Sequence, residues 1–118
     1  MYLGAKMEKR RHPRADMKLV VSYRVSEEVD NTDISQTKNV SLGGMLLTTN
    51  KYFKPGTQLA VGIRLLADAH PINLLGRVVE SREVVKNLIY DTRLEILSID
   101  KEHKEMLKKA VEKGLGKT

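Results

Sequence analysis

Two arginines four residues apart, Arg10 and Arg14, have the chemistry to hold an anionic ligand near the start of the chain. Pro13 lies between them and disfavours helix, because proline restricts the residue before it to extended conformations. A guanidinium fork can donate paired hydrogen bonds to a phosphate or to the O6 and N7 edge of guanine, and its plane can stack on a purine. A solvated basic tail is the alternative interpretation of such a pair.

A second set of polar residues lies in the segment NVSLGG at positions 39–44. Asn39 and Ser41 alternate with Val40, so they point to the same side of an extended chain, where both can bond the polar edge of a ligand. Gly44 permits a close backbone approach or a positive φ, which a side chain would obstruct. Taken alone, these residue types are also typical of an ordinary turn.

The composition is that of one small globular domain with an excess of positive charge. Its 118 residues are 41% apolar and 31% charged, a balance that supports one buried core. The net charge of +6 favours an anionic partner. Much of this excess lies between positions 6 and 14, where only Glu8 opposes a run of basic residues: Lys6, Lys9, Arg10, Arg11 and Arg14.

Several classes of protein are disfavoured by what the sequence lacks. Cysteine is absent, which excludes disulfides and thiolate metal sites and agrees with a reducing compartment. No apolar run is long enough for a spanning helix and no signal-peptide core precedes the first charges, so we expect a soluble, cytoplasmic protein. His12, His70 and His103 lack metal-ligand spacing, and no nucleophile has an evident base, so we expect neither a metal site nor an enzyme.

The periodicity predicts a mainly β fold with one terminal helix. Apolar residues alternate from Met17 to Val25, and further strands are predicted at 37–40, 45–49, 59–65, about 72–81 and about 88–97. The charged stretch 82–87 separates the last two strands. A three-and-four spacing then indicates a helix at about 101–114, capped by Asp100 and stopped by Gly114 and Gly116. Five or six antiparallel strands without intervening helices favour a barrel with the helix packed outside it or across one end.

An RxxxR segment ahead of the first strand, followed by NxSxxG between the next two, resembles the signature pair of PilZ domains. The resemblance extends from about Glu8 to Gly114 and implies a six-stranded antiparallel split β-barrel with a C-terminal α-helix. Residues 1–16 would form a flexible basic arm and residues 17–118 the barrel. The family binds the second messenger cyclic di-GMP, and the resemblance implies this ligand and no further cofactor.

Carried over by position, the resemblance implies a cyclic di-GMP site built from both motifs: Arg10, Arg14, Asn39, Ser41 and Gly44, with Lys9, Arg11 and Gly43 as further candidates. The two arginines would grip phosphates and guanine edges, the asparagine and serine would read guanine, and Gly44 would leave room for the base. A basic residue at position 9 is similar to family members that bind a stacked pair of ligand molecules. The chain departs from the family in having no Trp and in placing Ile96 where an aromatic is common.

Three functional hypotheses follow. The leading one is a receptor whose arm orders over cyclic di-GMP and creates a surface for an unidentified downstream protein. A small basic barrel that binds single-stranded nucleic acid is the second, and it is disfavoured because four Tyr and one Phe make a poor stacking platform. A ligand-independent PilZ-type adaptor is the third, and the presence of both motifs disfavours it.

Overall fold

The structure, a computed structural model, describes residues 12–29, 31–65 and 70–116. Six strands precede one helix: β1 (Val20–Val25), β2 (Asp33–Val40), β3 (Gly44–Thr49), β4 (Gln58–Arg64), β5 (Ile72–Val85), β6 (Ile89–Ser98) and α1 (Lys101–Gly114). The strands form a closed barrel in the order β1-β2-β3-β6-β5-β4, and β1 pairs with β4 to close it. All pairs are antiparallel. The predicted six-stranded antiparallel barrel with a C-terminal helix is therefore confirmed.

The barrel interior is filled by the apolar residues whose alternation identified the strands. On β4, the side chains of Leu59, Val61 and Ile63 are all buried on the inner side of the strand, and its two end residues are exposed. Tyr23 of β1 is buried beside Phe53, with the two rings edge to face and their centroids 6.0 Å apart. Burial of each such side chain contributes roughly 1.5–3 kcal/mol. All six strands contribute buried side chains to this core.

β2 begins at Asp33, four residues before the predicted start at position 37. Its half-buried and buried positions include Ser35 and Thr37, so it has no apolar alternation for sequence analysis to detect. Both hydroxyls have partners elsewhere in the fold: Ser35 Oγ donates to the carbonyl of Thr48 at 2.6 Å, and Thr37 Oγ1 donates to the carbonyl of Met17 at 2.6 Å. Polar residues are tolerated inside this strand because each is satisfied.

β5 continues to Val85, through the charged stretch that was predicted to separate it from β6. The outer part of this hairpin is exposed, so charged residues there do not end the strand. The reversal comes at residues 86–88, where Asn87 has a positive φ of 60° and the amide of Leu88 donates to the carbonyl of Val85. Asparagine tolerates this left-handed conformation better than most residues.

α1 spans the range that the periodicity indicates, and its first turn is capped by Asp100. The Asp100 carboxylate accepts the amide of His103 at 2.9 Å. His103 Nδ1 in turn accepts the amide of Asn73 at 2.8 Å, which ties the start of the helix to β5. Further along the helix, Leu107 and Val111 are buried in the barrel core.

Candidate functional site

A cavity of about 410 Å³ lies where the segment before β1, the β2–β3 hairpin and β6 come together. Its lining includes every predicted site residue within the described part of the chain: Arg14, Asn39, Ser41, Gly43 and Gly44. The rest of the lining consists of residues that were not predicted for the site: His12, Met45, Val79, Arg93, Leu94 and Glu95. Arg10, Lys9 and Arg11 lie outside the described residues. The two sequence motifs thus contribute to one cavity through Arg14.

Arg14 is positioned by the residue after it. The amide of Ala15 donates to the carbonyl of Val40 at 2.9 Å, and the amide of Val40 donates back to the carbonyl of Ala15 at 3.0 Å. In such an antiparallel pair, the residue before Ala15 lies opposite the residue after Val40, so Arg14 lies beside Ser41. Ala15 belongs by sequence to the predicted arm, yet its side chain is only 1% exposed. The chain is therefore fastened to the barrel directly after Arg14.

The segment between Ala15 and β1 is held against β2 by Thr37. The amide of Thr37 donates to the carbonyl of Leu19 at 2.9 Å, while its hydroxyl accepts the amide of Leu19 at 2.9 Å and donates to the carbonyl of Met17. Thr37 is itself buried. One side chain therefore satisfies two backbone groups that β1, which begins at Val20, does not pair.

We expect Thr37→Val to lower the free energy of unfolding by about 1–2 kcal/mol, because the amide of Leu19 and the carbonyl of Met17 lose their partner. Urea denaturation followed by circular dichroism measures this change. Thr48→Val is the matched control, since Thr48 is half-buried on β3 and no hydrogen bond of its side chain is seen among the described residues. Equal stability of the two variants would show that the Thr37 hydroxyl does not hold this segment.

Ser41 shapes the hairpin that forms the floor of the cavity. Its hydroxyl oxygen accepts the amides of Gly43 and Gly44, each at 3.1 Å, and its own amide donates to the carbonyl of Gly44 at 2.8 Å. A serine hydroxyl bonded to amides two and three residues ahead is typical of a tight turn. Ser41 thus fixes the shape of the hairpin, and Asn39 lies at the cavity wall just before it.

The two glycines of the hairpin are required by different neighbours. A Cβ at Gly44 would collide with the backbone carbonyl oxygen of Leu94 on β6, so this glycine permits β3 and β6 to approach. A Cβ at Gly43 would come 2.8 Å from Cδ2 of His12, which shows that the His12 ring lies against the hairpin. Close packing thus accounts for both glycines without reference to a ligand.

The sequence motifs include neither Arg93 nor Glu95. Both alternate with the buried Leu94 on β6, a pattern that predicts an outward direction but no particular function. His12, for which the sequence indicated only the absence of metal-ligand spacing, packs against Gly43 and lines the cavity. Only the strand order, which places β6 next to β3, brings these residues to the predicted motif.

No group of three histidine, aspartate or glutamate side chains could hold a metal ion within residues 12–29, 31–65 and 70–116. Over the same residues, no helix is both long and apolar enough to cross a membrane.

Comparison with known proteins gives a family and a set of related folds. A family model described as PilZ domain matches residues 8–113. The inhibitor of motility MotI/DgrA of Bacillus subtilis has a similar structure, with a TM-score of 0.75 and 22% identity over 93% of this chain and 53% of that one. The PilZ domain of YcgR from Escherichia coli with c-di-GMP is also similar, with a TM-score of 0.66 and 17% identity over 92% of each chain.

A third similar structure is the MrkH–c-di-GMP complex of K. pneumonia, with a TM-score of 0.68 and 15% identity. It is matched over 91% of this chain and 53% of that chain, so the present chain spans about half the length of MrkH, as it does of MotI. No curated protein sequence matches the chain. At these identities the structural likeness establishes a shared fold.

Proposed function

Because the chain belongs to the PilZ domain family, whose model matches residues 8–113, we propose that it is a receptor that binds cyclic di-GMP. The observation that carries this proposal is the cavity of about 410 Å³ to which Arg14, Asn39 and Ser41 all contribute. Two of the similar structures, the YcgR domain and MrkH, contain c-di-GMP. The same ligand is proposed here, held by binding contacts without a chemical reaction.

Each side chain has a role that its chemistry supports. Arg14, with Arg10 from the same motif, donates charge-assisted hydrogen bonds to the two phosphates or to guanine O6 and N7. Asn39 offers both a donor and an acceptor to the guanine edge. Ser41 and Gly44 act mainly through the hairpin: the serine holds the turn, and the glycine keeps the strands close.

The remaining candidates are assigned to the same ligand. Lys9 and Arg11 flank Arg10 in sequence and add positive charge that attracts a dianion. A basic residue at position 9 supports a site that takes a stacked pair of ligand molecules. Because Gly43 has no side chain, the His12 ring can pack against it, and that ring forms part of the cavity lining.

The signalling step is ordering of the part of the arm that precedes the described residues, positions 1–11, over the bound ligand in the cytoplasm. The physical support is that the chain is fastened at Ala15, so closure of the arm displaces no part of the barrel. Ordering a segment on binding creates a new surface, and that surface is the one offered to a downstream protein. NMR resonances of residues 1–11 test this step, because they should disperse only when the ligand is added, whereas those of Arg14 and Ala15 should be dispersed already in the free chain.

Isothermal titration calorimetry of the full chain with cyclic di-GMP tests binding itself. We expect saturable binding with a stoichiometry of one or two ligands per chain, and much weaker binding of cyclic di-AMP. Adenine presents an amino donor where guanine presents the O6 acceptor, so arginine forks discriminate between them. Absence of binding would favour a ligand-independent adaptor, and strong salt-sensitive binding of an oligonucleotide in its place would favour the nucleic-acid hypothesis.

A further inference from the structure

Three charged residues alternate along β6 beside the cavity: Asp91, Arg93 and Glu95. Residues two apart on a strand point to the same face, so the arginine lies between two carboxylates that would ordinarily compete to pair with it. Each carboxylate instead pairs with a cation from another strand, Asp91 with one from β2 and Glu95 with one from β5. Lys38 Nζ lies 2.7 Å from Asp91 Oδ1, and Arg77 Nε donates to Glu95 Oε2 at 2.6 Å.

Within the described part of the chain, Arg93 has no ion pair of its own. Its Nε is buried, and within residues 12–29, 31–65 and 70–116 no group accepts a hydrogen bond from it. Glu80 is its register partner on β5, but among these residues the two form no ion pair. A buried guanidinium donor without an acceptor is costly, and such groups in folded proteins often mark an absent ion or ligand.

The strand order relates Arg93 to Arg14. β3 lies between β2 and β6, with Arg14 beside the end of β2 and Arg93 paired in register with Leu46 of β3. Neighbouring strands are about 4.8 Å apart, and the Arg14 segment, β2, β3 and β6 follow one another across three such spacings, so the two arginines approach the cavity from backbones roughly 14 Å apart. A ligand that lies across the start of β3 would contact both.

We propose that Arg93 is a third arginine of the ligand site and binds a phosphate of the ligand from the side opposite Arg14. This inference rests on the proposed function and adds a residue that lies outside both sequence motifs. Because Lys38 and Arg77 neutralise the neighbouring carboxylates, the positive charge of Arg93 is available to a dianionic ligand. A phosphate oxygen also supplies the acceptor that its buried Nε lacks.

Two measurements on purified full-length chain test the proposal. Calorimetry with cyclic di-GMP compares wild type, Arg93→Ala and Arg82→Ala. Arg82 is exposed on the same hairpin and is not part of the cavity lining, so it is the matched control. We expect Arg93→Ala to weaken binding roughly tenfold to a hundredfold, and Arg82→Ala to bind like wild type. Thermal unfolding in pyrophosphate then tests anion binding without the nucleotide.

We expect pyrophosphate to raise the unfolding midpoint of wild type and Arg82→Ala, and to raise that of Arg93→Ala by less than about half as much. If cyclic di-GMP does not bind wild type, the proposed function fails, and an Arg93-dependent response to pyrophosphate would still support an anion site. Cyclic di-GMP affinity unchanged in Arg93→Ala would overturn the proposal. If no chain binds cyclic di-GMP, the proposal would also be overturned by an equal rise of the unfolding midpoint in pyrophosphate for wild type, Arg93→Ala and Arg82→Ala.

Discussion

Replacing Arg14 with alanine is expected to weaken cyclic di-GMP binding about tenfold to more than a hundredfold. Hydrogen bonds to charged groups contribute about 1.5–3 kcal/mol each, and 1.4 kcal/mol corresponds to a factor of ten in affinity. Arg14 lines the cavity and is fastened there by Ala15, so its position is set before the ligand arrives. The loss should appear mainly as faster dissociation, because a contact made only in the complex is removed.

Calorimetry measures the dissociation constant, and Arg82→Ala again serves as the matched control. Circular dichroism should show that both variants keep the wild-type fold, since Arg14 is half-buried and its removal must not be confused with unfolding. The Arg14→Ala variant should also show a weaker dependence of affinity on salt, because one cation fewer is engaged. Wild-type affinity in a folded Arg14→Ala chain would rule out this arginine as a ligand contact.

Gly44→Ala is expected to give the largest loss of stability of any substitution considered, about 1–3 kcal/mol or more in the free energy of unfolding. The added methyl group would meet the carbonyl oxygen of Leu94, which belongs to the backbone of the paired strand. Gly44 pairs in register with Glu95, so this collision could be removed only if β3 and β6 separated at the cavity wall. Backbone atoms held in a ladder cannot move aside as a flexible side chain can.

Gly43→Ala is the control for this effect, because there the new methyl group meets only the ring of His12, a side chain that can rotate away. We expect urea denaturation to show a clearly smaller loss for Gly43→Ala than for Gly44→Ala. Equal losses would indicate that the hairpin, not the approach of β6, determines the need for glycine. If only Gly44→Ala weakens ligand binding in the folded chain, displacement of β6 from the cavity is the direct cause.

The sequence predicted the architecture because its strands and helix follow simple periods. Where β2 extends beyond the prediction, the reason is that Ser35 and Thr37 replace apolar residues on its inner side. Their acceptors, the carbonyls of Thr48 and Met17, lie 13 and 20 residues away in the chain. No local sequence pattern reveals such distant partners, so sequence analysis interprets a polar strand of this kind as a loop.

The candidate site was predicted only in part, for a related reason. Arg14, Asn39 and Ser41 belong to spaced motifs, and these can be read along the chain. Arg93 could not be predicted in this way, because an outward-facing arginine on a strand is usually solvated. What distinguishes it is that Lys38 and Arg77, from two other strands, pair with its acidic neighbours. That information exists only once the strands are assembled.

The pair formed by Ala15 and Val40 also sets the length of a tether. Arg10 lies five residues before Ala15, and an extended chain spans at most about 3.6 Å per residue, so Arg10 stays within roughly 18 Å of this anchor. A group held on so short a tether has an effective concentration on the order of millimolar at its own cavity. If the proposed function holds, both arginines of the motif should therefore come from a single molecule, and exchange of arms between molecules should be rare at cellular concentrations.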